Sequence, residues 1–162
     1  MMKVIDNYLD EDLCDDIVSR TIKNQRFPLY LNHTISTPTS NDGIFLTHNF
    51  LDNGVESDWF HVVKPLLKRV QRDQDLMLIR IKLNLYPKTF FVKKHPWHTD
   101  YPFQHKGLIY YLNTNNGRTD FRNLGKVKSV KNRAVFHDPS EPHRSTTCSD
   151  SLFRSNIVIN YN

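Results

Sequence analysis

The chain has 162 residues, 38% of them hydrophobic and 12% aromatic, which is typical of one globular domain and excludes a disordered segment. No apolar run approaches the ~20 residues of a membrane-spanning helix, and the N-terminus, which soon turns acidic, does not resemble a signal peptide. Two cysteines are too few for a disulfide framework. We therefore expect a cytoplasmic domain over 1–162, a monomer or weak dimer, without a membrane partner. The net charge of +5 permits nucleic acid as a partner, but an ordinary basic surface explains it more simply.

The first 75 residues are predicted to form helical support and a loop. Apolar residues recur at helical spacing over 10–23, with Asp10 as the candidate N-cap, and again over 58–70. Pro65 should kink the second helix or confine its regular part to one side. The segment between the helices, 27–49, is polar and rich in Pro, Thr and Ser, which predicts a long loop with one short strand.

From Leu76 onward the apolar period changes to two, which is typical of half-buried strands. In 76–86, alternate residues are apolar, and the positions between them are Arg80, Lys82, Asn84 and Tyr86. Similar short patterns cover 107–112, 127–130, 133–137 and 151–161. Many short strands after two helices predict a mainly β fold. We expect a double-stranded β-helix (jelly roll) with its core over 76–162 and about two N-terminal helices packed on one sheet.

Three residues of the second half have the pattern of ligands to one metal ion. His98 and Asp100 lie two positions apart, so on an extended strand both side chains point to one face. His143 on a neighbouring strand would add a third ligand from the same side. Two histidines and a carboxylate form the facial triad of mononuclear non-haem Fe(II) sites, which leaves positions open for substrate and O₂. The sequence therefore predicts a metal site of His98, Asp100 and His143.

Other histidines are weaker candidates as ligands. His95 falls at an odd offset from His98, His105 lies in a loop-like stretch, and His137 precedes a turn. A surface position or a satisfied core position is the simpler interpretation for each. Zinc stays an alternative to iron, because open zinc sites also use histidine and carboxylate ligands.

Around these residues the sequence contains short motifs in a fixed order. The motifs are Tyr86-Pro87, HTD (98–100), IYYLN (109–113), GRTDF (117–121), VFHDPSEPHRS (135–145) and RSNIVINY (154–161). In these motifs and their order the chain resembles the 2-oxoglutarate/Fe(II)-dependent dioxygenases, particularly the prolyl-hydroxylase-like branch. The resemblance implies Fe(II) as the cofactor and 2-oxoglutarate and O₂ as cosubstrates.

The resemblance also implies which residues hold 2-oxoglutarate. Arg154 would grip the distal carboxylate, Tyr111 would hydrogen-bond the same carboxylate, and Tyr86 would line the pocket from the neighbouring strand. A guanidinium suits this role because it binds a carboxylate bidentately. Residues two apart on a strand share a face, and this alternation adds further pocket-lining candidates: Asn84, Asn156, Val158 and Asn160.

The expected function is hydroxylation of an unidentified substrate, a protein side chain such as proline being favoured, with release of succinate and CO₂. A small-molecule substrate stays open. An AlkB-like nucleic-acid demethylase fits the basic charge, but that family carries a second arginine where this chain has Asn160. The contrasting hypothesis is a non-catalytic metal-binding jelly roll with a basic partner-binding face.

Overall fold

The computed structural model describes residues 1–33, 43–72 and 76–162. Two α-helices, α1 (Glu11–Arg20) and α2 (Lys64–Gln71), and a 3₁₀ turn, Phe60–Val63, lie in the first half. The described strands are β1 (Lys3–Ile5), β2 (Tyr30–Asn32), β3 (Phe45–Asp52), β4 (Val55–Glu56), β5 (Leu78–Pro87), β6 (Lys106–Tyr111), β7 (Arg118–Phe121), β8 (Gly125–Lys128), β9 (Ala134–His137), β10 (His143–Ser145) and β11 (Phe153–Tyr161). Neither described helix has the length and apolar character needed to cross a bilayer.

The strands form two antiparallel sheets. The major sheet has the order β1-β9-β6-β11-β5-β3-β2, with β4 added beside β3. The minor sheet has the order β10-β7-β8. An isolated bridge between His98 and His143 joins the HTD segment to the outer side of β10. The predicted fold, a jelly roll with two N-terminal helices, is confirmed.

Alternation along the central strands divides the major sheet into an outer and an inner face. On the outer face, Ile81 and Leu83 of β5 and Ile157 and Ile159 of β11 are fully buried against the helices. On the inner face, a smaller apolar cluster bridges the two sheets; it consists of Ile109, Tyr111, Phe121, Val127 and Val135. Most of the other inner-face positions of β5 and β11 are polar, and several of them line the cavity described below.

The helices differ from their predicted bounds for local reasons. Helix α1 begins directly after Asp10, which occupies the N-cap position without a side-chain capping bond. The predicted second helix over 58–70 is a 3₁₀ turn followed by α2, and Pro65 lies in the first turn of α2. Proline is tolerated there because the first backbone N–H groups of a helix have no partner within the helix. The expected confinement by Pro65 is confirmed.

The prediction of a long loop with one short strand over 27–49 is right in part: the described residues contain the short strand β2, but also the first half of the longer strand β3. β3 begins at Phe45 and pairs with β5 along most of its length, and β2 pairs with β3 in turn. The alternation in β3 is obscured in the sequence because polar His48 is one of its buried residues. Residues 34–42 of this segment lie outside the described residues.

Candidate metal and carboxylate-binding site

The structure brings together the three residues predicted to bind a metal. One ligand atom from each of His98, Asp100 and His143 lies within 4.8 Å of the other two. Asp100 Oδ1 lies 3.9 Å from His98 Nε2 and 3.8 Å from His143 Nε2. This donor set, two imidazole nitrogens and a carboxylate oxygen on one side, fits a mononuclear Fe(II) ion and also suits zinc.

The route by which His98 and Asp100 converge differs from the prediction. They were expected on a regular strand, but this segment makes a single bridge to His143 and then bends. Pro96, which has no backbone N–H, precedes His98 and cannot donate to a ladder. Asp100 is instead fixed by its backbone N–H, which donates to the carbonyl of Pro139 at 3.0 Å.

Backbone carbonyls orient both histidines. His143 Nδ1 lies 3.0 Å from the Glu141 carbonyl, and His98 Nδ1 lies 3.4 Å from the Pro96 carbonyl. Because a carbonyl oxygen only accepts, each bond requires the proton on Nδ1. Nε2 of each ring then carries the lone pair toward Asp100, which is the tautomer that a metal ligand needs.

The Asp100 carboxyl is held in its ionised form. Burial alone would raise its pKa, but the charges of His143 and Arg80 and a hydrogen bond from Asn160 outweigh burial and lower the pKa well below its usual range. Asn160 Nδ2 donates to Asp100 Oδ2 at 2.8 Å, so Oδ1 stays directed toward the histidines. For His98, burial itself lowers the pKa, and the charge of His143 acts in the same direction. Both shifts favour the deprotonated forms that bind a metal.

The inner face beside this triad forms a cavity. The part of the cavity that water can occupy measures about 50 Å³, and the cavity is partly open to solvent. Four of the predicted cosubstrate residues line it, namely Asn84, Tyr86, Asn156 and Val158. All three triad residues line it as well.

Arg154 lies behind this cavity, fully buried. Its guanidinium donates to Thr119 Oγ1 at 2.9 Å and to the Thr146 carbonyl at 3.3 Å. The rings of Tyr86 and Tyr111 each lie 5.4 Å from the guanidinium carbon. Nε has no hydrogen-bond partner, and no carboxylate forms an ion pair with Arg154, among the residues that the structure describes. A buried cation without a counter-charge is costly, so this position fits an anionic ligand.

Thr119 is a site residue that the sequence analysis missed. It lines the cavity, and its Oγ1 accepts hydrogen bonds from both Tyr111 (2.8 Å) and Arg154 (2.9 Å). Gly117 makes room for this arrangement, because a Cβ at that position would lie 2.6 Å from Arg154 Cδ. A threonine two residues after a glycine turn was the available signal, but its role depends on side chains of β6 and β11, whose proximity to β7 the sequence alone does not specify.

Two basic residues of β5 also line the cavity, Arg80 and Lys82. Alternation places both on the face of Asn84 and Tyr86, but nothing in the sequence marks them as site residues. Burial lowers the pKa of Lys82 to about 8, and the charge of Arg80 acts in the same direction.

Three other histidines, His95, His105 and His137, are buried near the site. His95 Nδ1 lies 2.6 Å from Ser145 Oγ, and His105 Nε2 lies 3.1 Å from Asn160 Nδ2. Both are buried, so the satisfied core position is the correct interpretation for them. His137 ends β9, as expected, and lines the cavity with its ring 5.2 Å from that of His143. Burial, with the charge of His143 acting in the same sense, lowers the pKa of His137 to about 3.

A jelly roll with this triad at its cavity has the fold of the 2-oxoglutarate/Fe(II) oxygenases, and solved structures establish that likeness, prolyl hydroxylases among them. A viral collagen prolyl hydroxylase from Paramecium bursaria Chlorella virus-1, solved with 2-oxoglutarate, has a TM-score of 0.65 and 16% identity over 99% of this chain and 93% of its own. A prolyl hydroxylase from Trichoplax adhaerens, in complex with a hypoxia-inducible-factor peptide, has a TM-score of 0.73 and 14% identity, covering 99% and 82%.

The same fold occurs in an enzyme with a different outcome. A non-haem α-ketoglutarate-dependent epimerase of nogalamycin biosynthesis has a TM-score of 0.71 and 13% identity, covering 99% of this chain and 77% of its own. No family model and no curated protein sequence matches the chain. The expected resemblance is therefore confirmed at the level of the fold, and the role of each residue depends on the geometry of the site.

Proposed function

We propose that the protein is an Fe(II)- and 2-oxoglutarate-dependent dioxygenase that hydroxylates its substrate and releases succinate and CO₂. The observation that carries the proposal is the pairing of two features at one cavity. A two-histidine, one-carboxylate triad lies at the cavity, and a fully buried arginine without a carboxylate partner among the described residues lies behind it. 2-Oxoglutarate has chemistry to match both, a keto acid for a metal and a second carboxylate for a guanidinium.

Two groups of residues would bind the two ends of the cosubstrate. His98, Asp100 and His143 would hold the metal, and Arg154, with Thr119 and Tyr111 beside it, would hold the distal carboxylate. When bound, iron and 2-oxoglutarate supply the oxidising chemistry, in which O₂ is reduced while the keto acid is decarboxylated. The chain itself orients the cosubstrate between two fixed ends and excludes water from the buried one.

A protein side chain such as proline is the substrate class that we favour. The support is the likeness to two prolyl hydroxylases, one of which is solved with a peptide. The cavity opens to solvent at its mouth, so a side chain that projects from another chain can enter it. A small-molecule substrate is the alternative, and we place either reaction in the cytoplasm, where the buried free thiols Cys14 and Cys148 stay reduced.

Anaerobic absorption spectroscopy tests the proposal. The protein is loaded with Fe(II) and titrated with 2-oxoglutarate, and a visible metal-to-ligand charge-transfer band is expected only when both are present. Arg154→Met should weaken 2-oxoglutarate binding by about 10- to 100-fold, the usual effect of losing a charged hydrogen-bonding group. Arg26→Met, at an exposed arginine outside the cavity, is the matched control and should leave the titration unchanged.

Two further results decide between the proposal and its alternatives. Asp100→Ala should abolish both the band and the formation of succinate while the domain stays folded. Iron binding without a band would contradict the proposal and favour a non-catalytic metal site. Consumption of 2-oxoglutarate that proceeds equally in the Arg154→Met variant would contradict the assigned role of Arg154.

A further inference from the structure

Lys82 is a cation inside the cavity that the proposed function does not use. It lies on the inner face of β5, where its cross-strand neighbours are Val158 of β11 and Asn49 of β3. Its side chain lines the cavity together with Asn84 and Val158. Neither cross-strand neighbour carries a charge that could neutralise an ammonium group.

The carboxylates nearest to Lys82 are engaged elsewhere. Asp100 is the acidic residue that lines the cavity, and it contacts both triad histidines and Asn160. Asp52 of β3 accepts a hydrogen bond from Asn49. In the described part of the chain neither carboxylate lies within ion-pairing distance of Lys82, and its Nζ lies 5.8 Å from the centre of the Phe45 ring, a weak contact. Lys82 therefore offers a partly buried cation that makes no direct ion pair with a described carboxylate.

Lys82 lines the same cavity as the three residues of the triad. The charge of Lys82 contributes to the lowered pKa of His98, and the charge of Asp100 acts to raise the pKa of Lys82. Arg154 belongs to a different level of the sheet, because it pairs with Tyr86, four residues further along β5. Four residues of strand span roughly 13 Å. The backbone positions of the two cations therefore lie apart, and Lys82 Nζ lies beside the ring of Phe45, which stacks on that of Tyr86.

We infer that Lys82 binds a second carboxylate, which it holds beside the metal-binding triad, while Arg154 binds the distal carboxylate of the cosubstrate. This inference depends on the proposed function. The second carboxylate has two sources, the keto-acid end of 2-oxoglutarate or an acidic group on the primary substrate. In both cases the carboxylate would supply the counter-charge that Lys82 lacks.

The first arm of the test measures keto-acid binding to the Fe(II) protein under anaerobic conditions. The probes are 2-oxoglutarate and pyruvate, which has the keto-acid end without the distal carboxylate. The variants are Lys82→Met, Lys82→Gln and the charge-preserving Lys82→Arg. If Lys82 holds the keto-acid end, the two neutral variants weaken both probes by about tenfold or more and Lys82→Arg retains most of the affinity.

The second arm measures binding of acetate to protein loaded with Mn(II) and 2-oxoglutarate. The readout is the paramagnetic relaxation of the acetate methyl protons, which requires acetate to lie close to the metal. If Lys82 holds a carboxylate of the substrate, the neutral variants keep their affinity for keto acids but lose this relaxation, and Lys82→Arg keeps it. Circular dichroism and thermal melting establish that each variant is folded.

The outcomes separate the two proposals. Neutral variants that bind 2-oxoglutarate, pyruvate and acetate like the wild type overturn the role of Lys82 and leave the proposed function intact. A wild-type protein that forms no metal–keto-acid complex overturns the proposed function and the inference together.

Discussion

At the scale of single residues, Thr119 links the two side chains that are expected to hold the distal carboxylate. Its hydroxyl oxygen accepts from Tyr111 and from Arg154, so its own proton is left to donate toward the cavity. A carboxylate bound there would receive hydrogen bonds from a guanidinium and a hydroxyl whose positions are already fixed by each other. Such preorganisation lowers the cost of ordering the site when the ligand binds.

Thr119→Val should therefore weaken both the site and the fold. Valine removes the shared acceptor and leaves two buried donors unsatisfied, each at a cost of about 1–3 kcal/mol. We expect the free energy of unfolding to fall by about 2 kcal/mol and the 2-oxoglutarate dissociation constant to rise about tenfold. Urea denaturation and the charge-transfer titration measure the two effects. Thr119→Ser keeps the hydroxyl and should retain most of the stability and most of the 2-oxoglutarate affinity. Equal losses in the Val and Ser variants would contradict this role.

The buried His137 side chain should make the stability of the fold depend on pH. Its pKa is lowered from 6.5 to about 3, chiefly by burial and then by the charge of His143. Between these values the unfolded chain binds a proton that the folded chain excludes, so stability falls as the pH drops through this range. From pH 8 to pH 5 the loss from this group is about 2 kcal/mol.

The measurement is urea denaturation of the metal-free protein at several pH values, for wild type and His137→Phe. The variant keeps an aromatic ring beside Phe121 and has no proton to gain. Between pH 8 and pH 5, the free energy of unfolding of the variant should fall by about 2 kcal/mol less than that of the wild type. Parallel profiles for the two proteins would mean that His137 titrates normally in the folded state.

At the scale of elements, the sequence specified the strands whose apolar residues alternate without interruption. β5, β6, β9 and β11 were predicted within about two residues of their ends, because one face of each is apolar against the helices or the other sheet. β3 was missed because buried His48 breaks its pattern, and because its place beside β5 is a long-range pairing. The HTD segment was predicted as a strand but bends, since Pro96 limits its pairing.

The site divided in the same way. The triad could be predicted from residue types and spacing, and Arg154 from the family resemblance, whereas the contacts of Thr119 and Lys82 could not be predicted. Thr119 acts through side chains from two other strands, and Lys82 gains significance only because its neighbours across the sheet are Val158 and Asn49. These are properties of sheet register, which alternation in one strand does not determine.

Strand β11 should separate stability from ligand binding between two adjacent residues. Ile157 is fully buried against the helices, whereas Val158 lines the cavity. Ile157→Ala should cost about 2–5 kcal/mol of unfolding free energy and leave 2-oxoglutarate affinity unchanged. Val158→Phe should fill the cavity and abolish 2-oxoglutarate binding, and it should lower the free energy of unfolding by about 1–3 kcal/mol. A loss of cosubstrate affinity in Ile157→Ala, measured on folded protein, would contradict the two-face description.

At the scale of the whole molecule, the metal and the cosubstrate should stabilise the fold in two separable steps. The triad joins the HTD segment to β10, and Arg154 joins β11 to Thr119 of β7 and to the Thr146 backbone. The site of Arg154 therefore connects the two sheets, whereas the triad connects the HTD segment to the minor sheet. A ligand that binds only the folded state adds about 2.7 kcal/mol at one hundred times its dissociation constant. For a chain of this size that corresponds to a rise in Tm of roughly 5–10 °C.

We predict that Mn(II) raises Tm by several degrees and that 2-oxoglutarate, added to the Mn(II) protein, raises it again, with EDTA reversing both. Each variant should remove a defined step because each removes one binding group. Asp100→Ala should lose both increments, and Arg154→Met should keep the increment from the metal while losing that from 2-oxoglutarate. Differential scanning fluorimetry under nitrogen measures all of these, with succinate as a ligand that has carboxylates but no keto group. An increment from 2-oxoglutarate that is equally large without metal would contradict the joint site, because it would place the cosubstrate away from the triad.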